Sequence, residues 1–100
     1  MDRSRVLTLI RVTYTPDNIG QQVPQETRHD VFCNVTSISA SEFFDAGRAG
    51  LKPEYRATLF VYDYDGEEIV ELDGVRYGVY RTYLGRNETI ELYLERKVGV

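Results

Sequence analysis

Side chains that commonly perform chemistry are sparse in this sequence of 100 residues. The chain has one histidine, His29, and one cysteine, Cys33. His29 has no partner at a metal-ligand or general-base spacing, so we expect a structural or surface histidine. Cys33 alternates with Val31 and Val35, the setting of a small core residue, and no activating base is evident. Neither residue predicts catalysis.

Acidic residues cluster once, in a pattern that partly matches a calcium-binding loop: Asp63, Asp65, Glu67 and Glu68. Such a loop needs ligands at alternate positions over twelve residues, a glycine at the sixth and a glutamate at the twelfth. Gly66 is only the fourth residue counted from Asp63, so the pattern favours a solvated turn. We expect no metal site here.

Two glycines, Gly47 and Gly50, are the nearest approach to a nucleotide-binding loop. They precede no phosphate-binding lysine and follow no strand–helix signature, so they do not support a nucleotide or other cofactor. The sequence therefore predicts a protein that is not an enzyme, with no catalytic residue and no cofactor.

The composition and charge of the chain argue against further classes of function. The chain has 16 acidic and 12 basic residues, a net charge of −4, and eight tyrosines, four phenylalanines and no tryptophan. This balance offers no basic surface for wrapping nucleic acid. The single cysteine allows no internal disulfide and favours a reducing compartment, and no apolar run approaches the length of a membrane span. We expect one domain, residues 1–100, with no membrane association.

Alternating apolar residues predict an all-β, mainly antiparallel fold. Strands are expected over residues 6–14, 26–36, 54–62 and 89–95, with a loop over 16–24 between the first two. A hairpin between the last two of these ranges adds two more strands. About six strands predict a small barrel or sandwich, because an open sheet would leave its edges exposed.

The hairpin is centred on Asp73-Gly74, the signature of a type I′ turn in which both central residues need positive φ. A two-residue loop fixes the register, so Leu72 is expected opposite Val75. Val70 is likewise expected opposite Tyr77.

One segment departs from the strand pattern: SEFFDAGRAGLKPEY, residues 41–55. Ser39 and Glu42 have the spacing of a capping box, in which Ser39 caps the first turn and Glu42 reaches back to the cap amide. The helix is expected to end near Ala46, before two glycines and a proline. So short a helix needs packing. Phe43 and Phe44 are therefore expected to be buried against this chain's own barrel or against a neighbour.

Several aromatic residues fall on strand faces opposite the predicted core: Phe32, Phe60, Tyr62, Tyr80 and Tyr93. They could stack on nucleic-acid bases, contact other subunits, or be buried inside a two-sided sandwich. Single-strand binding relies on a cationic groove, so the acidic balance favours protein contact over nucleic acid.

The same helical segment, followed by a strand and by DYDGEEIVELDGVRYGVYRTYLGRNETIELYLERK, resembles the head–tail joining proteins of long-tailed phages. These are also called head-closure, head-completion or stopper proteins. The resemblance covers nearly the whole chain. It lies in the order of the elements: an opening strand pair, a short helix continuing into AGLKPEY, and a three-strand meander.

The resemblance implies a small β-barrel that forms a homo-oligomeric ring on the virion, in a free phage or a prophage, after assembly in the host cytoplasm. The ring would bind the portal or adaptor on the head side and a tail protein on the tail side, retaining the packaged DNA. Double-stranded DNA would pass the channel without sequence-specific binding. The segment 37–53 would lie near the channel, with subunit or adaptor contacts at Phe43, Phe44, Gly47, Gly50, Leu51, Lys52 and Pro53.

Two alternatives stay open. The first is another connector subunit, an adaptor or a tail terminator. The second, from a different class, is a small barrel that binds single-stranded nucleic acid.

Overall fold

Six antiparallel strands close into a barrel, and one helix lies between the second and third strands. The computed structural model describes residues 5–96. The strands are β1 (Arg5–Pro16), β2 (Gln22–Ser37), β3 (Pro53–Phe60), β4 (Ile69–Leu72), β5 (Val75–Leu84) and β6 (Thr89–Arg96). The helix α1 spans Ala40–Arg48, and a short 3₁₀ turn, Val61–Asp63, follows β3. The predicted fold class is confirmed, and of the two architectures expected, the barrel is the one observed.

The barrel closes in the order β1-β2-β3-β6-β5-β4. Closure depends on a short ladder in which Thr8, Leu9 and Ile10 of β1 pair with Glu71, Val70 and Ile69 of β4. Since the last strand pairs with the first, the barrel itself has no free edge.

Inward-facing side chains of all six strands form one core. Leu59 of β3 and Leu92 of β6 are both fully buried, as the alternation predicts. The rest of this core is Leu7, Leu9, Val31, Cys33, Ala57, Val70, Leu72, Tyr77, Ile90 and Leu94. Burial of these apolar side chains is the main stabilising term of the fold.

The predicted type I′ hairpin joins β4 to β5. Asp73 and Gly74 have φ values of 52° and 79°. Leu72 pairs with Val75, and Val70 pairs with Tyr77, as expected.

The loop expected over residues 16–24 is wrong, because both strands continue into it. β1 runs to Pro16 and β2 begins at Gln22, and the register continues from Val12–Glu26 to Pro16–Gln22. Pairing of β1 with β4 stops at Ile10, and pairing of β2 with β3 begins only at Cys33. Residues 11–27 therefore form a two-stranded ribbon beyond the barrel, which we call the arm.

Burial makes the Cys33 thiol unreactive in the folded protein. The side chain is fully buried, and this burial raises the pKa of Cys33 to about 11 from 9.0. The unfolded chain thus loses this proton before the folded chain does, so the contribution of Cys33 to stability falls as the pH rises from about 9 to about 11.

We expect iodoacetamide to label Cys33 at pH 8.5 only in denaturant. We also expect the melting temperature to fall above pH 9, with a smaller fall in Cys33→Ala. Rapid labelling of the native protein would contradict the buried position of Cys33.

Candidate interaction surface

Both ends of α1 are fixed by backbone-capping interactions. The Ser39 hydroxyl accepts a hydrogen bond from the Glu42 N–H at 3.3 Å, so the predicted N-cap is confirmed. At the other end Gly50 has φ +83°, and the Leu51 N–H donates to the Ala46 carbonyl at 3.0 Å. This is the geometry of a Schellman motif.

The expected end of the helix near Ala46 is wrong. The helix continues through Gly47 to Arg48, because Gly47 adopts ordinary helical conformation and the stop falls at Gly50. A glycine within a helix lowers its stability without ending it.

Glu42 fastens α1 to the barrel. Its carboxylate accepts a hydrogen bond from the Tyr80 hydroxyl at 3.0 Å and forms an ion pair with Arg81. The prediction that Glu42 reaches back to the cap amide is wrong, because its side chain turns toward β5. The Arg81 guanidinium in turn lies 4.0 Å from the centroid of the Tyr93 ring. Tyr93 points outward as predicted, yet it is buried under this cover.

Removing the Glu42 carboxylate should release the helix and change the titration of Tyr80. Burial, and then the hydrogen bond to Glu42, raises the pKa of Tyr80 above its ordinary value. We expect Glu42→Ala to lower this pKa and to cost about 1–3 kcal/mol of stability, since it leaves the partners of a charge-assisted bond unpaired. Ultraviolet titration of tyrosinate measures the pKa.

Glu42→Gln is the matched variant, because it keeps an acceptor oxygen for Tyr80 and removes the charge. We expect it to lie between wild type and Glu42→Ala in both measurements. Identical titration curves for all three proteins would contradict the contact between Glu42 and Tyr80.

Phe43 and Phe44 remain outside the core. They are 52% and 63% exposed, and their rings meet edge to face with centroids 5.8 Å apart. The alternative in which they are buried against this chain's own barrel is therefore wrong. The two rings form an exposed aromatic pair on a helix that is capped at both ends and anchored by Glu42.

The remaining predicted contact residues differ in accessibility. Lys52 is exposed and Leu51 is partly buried, whereas Pro53 is buried at the start of β3 opposite Glu95. Pro53 is therefore unavailable as a surface contact, which corrects the prediction for that residue. Leu51 lines an open pocket of about 510 Å³ between the helix and β5.

The outward-facing aromatic residues differ in their exposure to solvent. Tyr80 is partly buried and bonded to Glu42 of the helix, and Tyr93 is buried beneath Arg81. Phe32 is 64% exposed, Tyr62 is exposed, and the partly exposed Phe60 packs edge to face on Tyr62 with centroids 5.0 Å apart. Burial of the whole set inside a sandwich is therefore wrong.

Two further apolar surfaces were not predicted from the sequence. Val6 pairs with Phe32 across β1 and β2, and both side chains are exposed; we call these two residues the barrel patch. Tyr14 and Ile19 are exposed on the arm. The alternation in the sequence predicts Phe32 as an outward-facing aromatic and places Tyr14 in the first strand, whereas Ile19 falls in the loop predicted over residues 16–24.

Cationic side chains are mostly neutralised by neighbouring carboxylates. Within the described range, eight arginines form ion pairs: Arg5, Arg11, Arg28, Arg48, Arg56, Arg76, Arg81 and Arg96. A surface that binds phosphates needs cations free to replace counterions. This distribution does not favour a nucleic-acid interface.

Residues 5–96 contain no group of three or more His, Cys, Asp or Glu side chains placed to hold a metal ion. In the same range, no helix is both long and apolar enough to cross a membrane.

Comparison with known proteins adds no relative: no family model matches the chain, and no curated protein matches it.

Proposed function

We propose that this protein is a structural component of a tailed phage or prophage that forms a ring at the head–tail junction. In this role it closes the filled capsid, retains the DNA and presents a docking surface to the tail. The proposal starts from the resemblance to head-closure proteins. It is supported by the six-stranded barrel with one helix between the second and third strands, which is the architecture that the resemblance implies.

One observation carries the proposal: Phe43 and Phe44 are exposed on a helix that is capped at both ends and bonded to the barrel through Glu42. Aromatic side chains are enriched at protein interfaces, where a few of them supply most of the binding energy. Ser39, Glu42 and Gly50 hold the helix in place, so little conformational freedom would be lost on binding. We assign this pair to contact with a neighbouring subunit or with the adaptor.

The segment 37–53 is the part of the chain proposed to face the channel. Gly47 lies in regular helix, so the segment changes direction at Gly50, the only one of its two glycines with positive φ. A net charge of −4, with most arginines paired, suits a channel through which DNA slides without adhering.

The proposal is tested on purified particles from a strain whose gene product carries an epitope tag. We expect quantitative mass spectrometry to find the protein in tailed virions at a small fixed copy number. Gold-labelled antibody should mark the point where head meets tail. Absence of the protein from purified virions, or label spread along the tail or the capsid, would overturn the proposal.

The binding-module alternative is tested separately with a labelled single-stranded oligonucleotide. Binding that weakens steeply as salt rises would favour that alternative, because it indicates release of counterions from phosphates. We expect no such binding.

A further inference from the structure

No other element among the described residues packs on the arm. Every residue from Thr13 to Asp30 is exposed, so both faces of the ribbon meet solvent. The molecule is correspondingly elongated, with extents of 49 × 30 × 23 Å. A two-stranded hairpin alone is marginally stable in water, so a ribbon of this length gains stability from a surface that covers it.

The arm has the composition of an interface and not that of a solvated loop. Between Val12 and Gln25 the only charged residue is Asp17, in a chain that is 28% charged. The Asp17 carboxylate accepts hydrogen bonds from the N–H groups of Ile19 and Gln21, at 2.9 and 2.8 Å. The turn is thus preorganised, and Ile19 at its tip is 78% exposed.

Two prolines direct the contact to the faces of the arm. The Asp17 N–H donates to the Gln21 carbonyl, so these two residues form a hydrogen-bonded pair of the ladder. Hydrogen-bonded and non-hydrogen-bonded pairs alternate along an antiparallel ladder. Pro16 and Pro24 therefore fall in non-hydrogen-bonded pairs, in which the backbone nitrogens point away from the partner strand. Each proline removes a donor from a free edge of the ribbon, which disfavours addition of another strand. A partner is therefore expected to pack on side chains such as Tyr14, which lies on the same face as Pro24.

A second copy of this chain is the occupant that the observations favour. The charged residues of the arm are Arg11, Asp17 and Glu26, and Arg11 is already paired with Asp65, so the arm offers no unpaired cation to a nucleic acid and carries little net charge toward an acidic copy of charge −4. The barrel patch of Val6 and Phe32 is also apolar, and nothing within residues 5–96 covers it. The arm, including its tip, has 17 residues, fewer than the about 20–30 on each side of a standard interface, so a contact smaller than the standard one is expected.

We infer that the arm of one copy packs against the barrel patch of the next, with Tyr14 and Ile19 contacting Val6 and Phe32. The arm and the patch are different surfaces, so the contact is head-to-tail and propagates into a ring when the rotation closes. The inference deepens the proposed function, on whose ring it rests, and it is tested in solution without phage.

Sedimentation equilibrium of the full chain, from about 1 µM to about 1 mM, measures this contact. We expect wild type to self-associate. The double variant Tyr14→Ser with Ile19→Ser, and separately Phe32→Ser, should weaken association roughly tenfold or more. Tyr83→Ser is the control, since Tyr83 is exposed but lies outside both surfaces. All four proteins should melt alike, because exposed substitutions rarely change stability by more than about 0.5 kcal/mol.

Mixing the two defective variants separates a head-to-tail contact from a symmetric one. The arm-defective copy keeps an intact patch and the patch-defective copy keeps an intact arm, so the mixture should form a dimer that neither variant forms alone. A monomeric wild type, an arm variant that associates as wild type does, or a mixture that stays monomeric would each overturn the inference. Association in solution by a protein absent from virions would remove the proposed function and leave the arm contact standing.

Discussion

Replacing both Phe43 and Phe44 with serine should abolish incorporation of this protein into virions while leaving the isolated protein folded. Both rings are more than half exposed and contact each other, so their loss opens no cavity in the barrel. Two aromatic anchors of about 2 kcal/mol each correspond to a loss of roughly a thousandfold in affinity at each contact. The two exposed substitutions together should cost no more than about 1 kcal/mol, so the melting temperature should fall by no more than about 8 °C.

Tyr83 and Leu84 provide the matched control for this experiment. They are also adjacent, apolar and exposed, but they lie at the end of β5 and not on the helix. Complementation of a gene-disrupted phage with the Tyr83→Ser, Leu84→Ser double variant should restore incorporation. Equal incorporation of both double variants would remove the helix from the contact surface. Unfolding of the phenylalanine variant would instead give those rings a structural role.

Gly74→Val should severely destabilise the fold. Gly74 has φ +79°, a conformation that a β-branched residue adopts only under strain, at a cost of about 1–3 kcal/mol. Each kcal/mol lowers the melting temperature of a domain this size by roughly 4–8 °C. The strain falls in the turn that positions β4, the strand that closes the barrel against β1.

The control for this variant is Gly47→Val. An added Cβ meets no atom within 4 Å at either glycine, so crowding is matched and only the backbone conformation differs. Valine is at least as favourable as glycine inside a helix, so Gly47→Val should melt at or slightly above the wild-type temperature. Equal melting temperatures for the two variants, measured by circular dichroism, would contradict the type I′ turn.

Local sequence signals predicted the elements that depend on near neighbours. Asp73-Gly74 specified its hairpin because positive φ at two successive positions is a property of those two residues. Alternation likewise predicted the strands over residues 54–62 and 89–95, whose Leu59 and Leu92 are fully buried. Ser39 was identified as a helix cap because its partner, the Glu42 amide, is three residues away.

Features that depend on long-range pairing were missed. Pro24 suggested a loop. In the structure its backbone nitrogen points away from the partner strand, so a proline is compatible with the strand at this position. Which way that nitrogen points depends on the register, which the local sequence does not show. Glu42 has the spacing of a capping residue, yet Tyr80 and Arg81, almost forty positions away, hold its carboxylate. The choice between barrel and sandwich depended on the pairing of β1 with β4, which no local pattern encodes.

The most direct test of a role at the head–tail junction is electron microscopy of lysates from a phage or prophage in which this gene is disrupted. The proposed function predicts heads that have lost their DNA beside complete, unattached tails, and normal particles when the wild-type gene is supplied in trans. Intact tailed particles from the disrupted strain would contradict it.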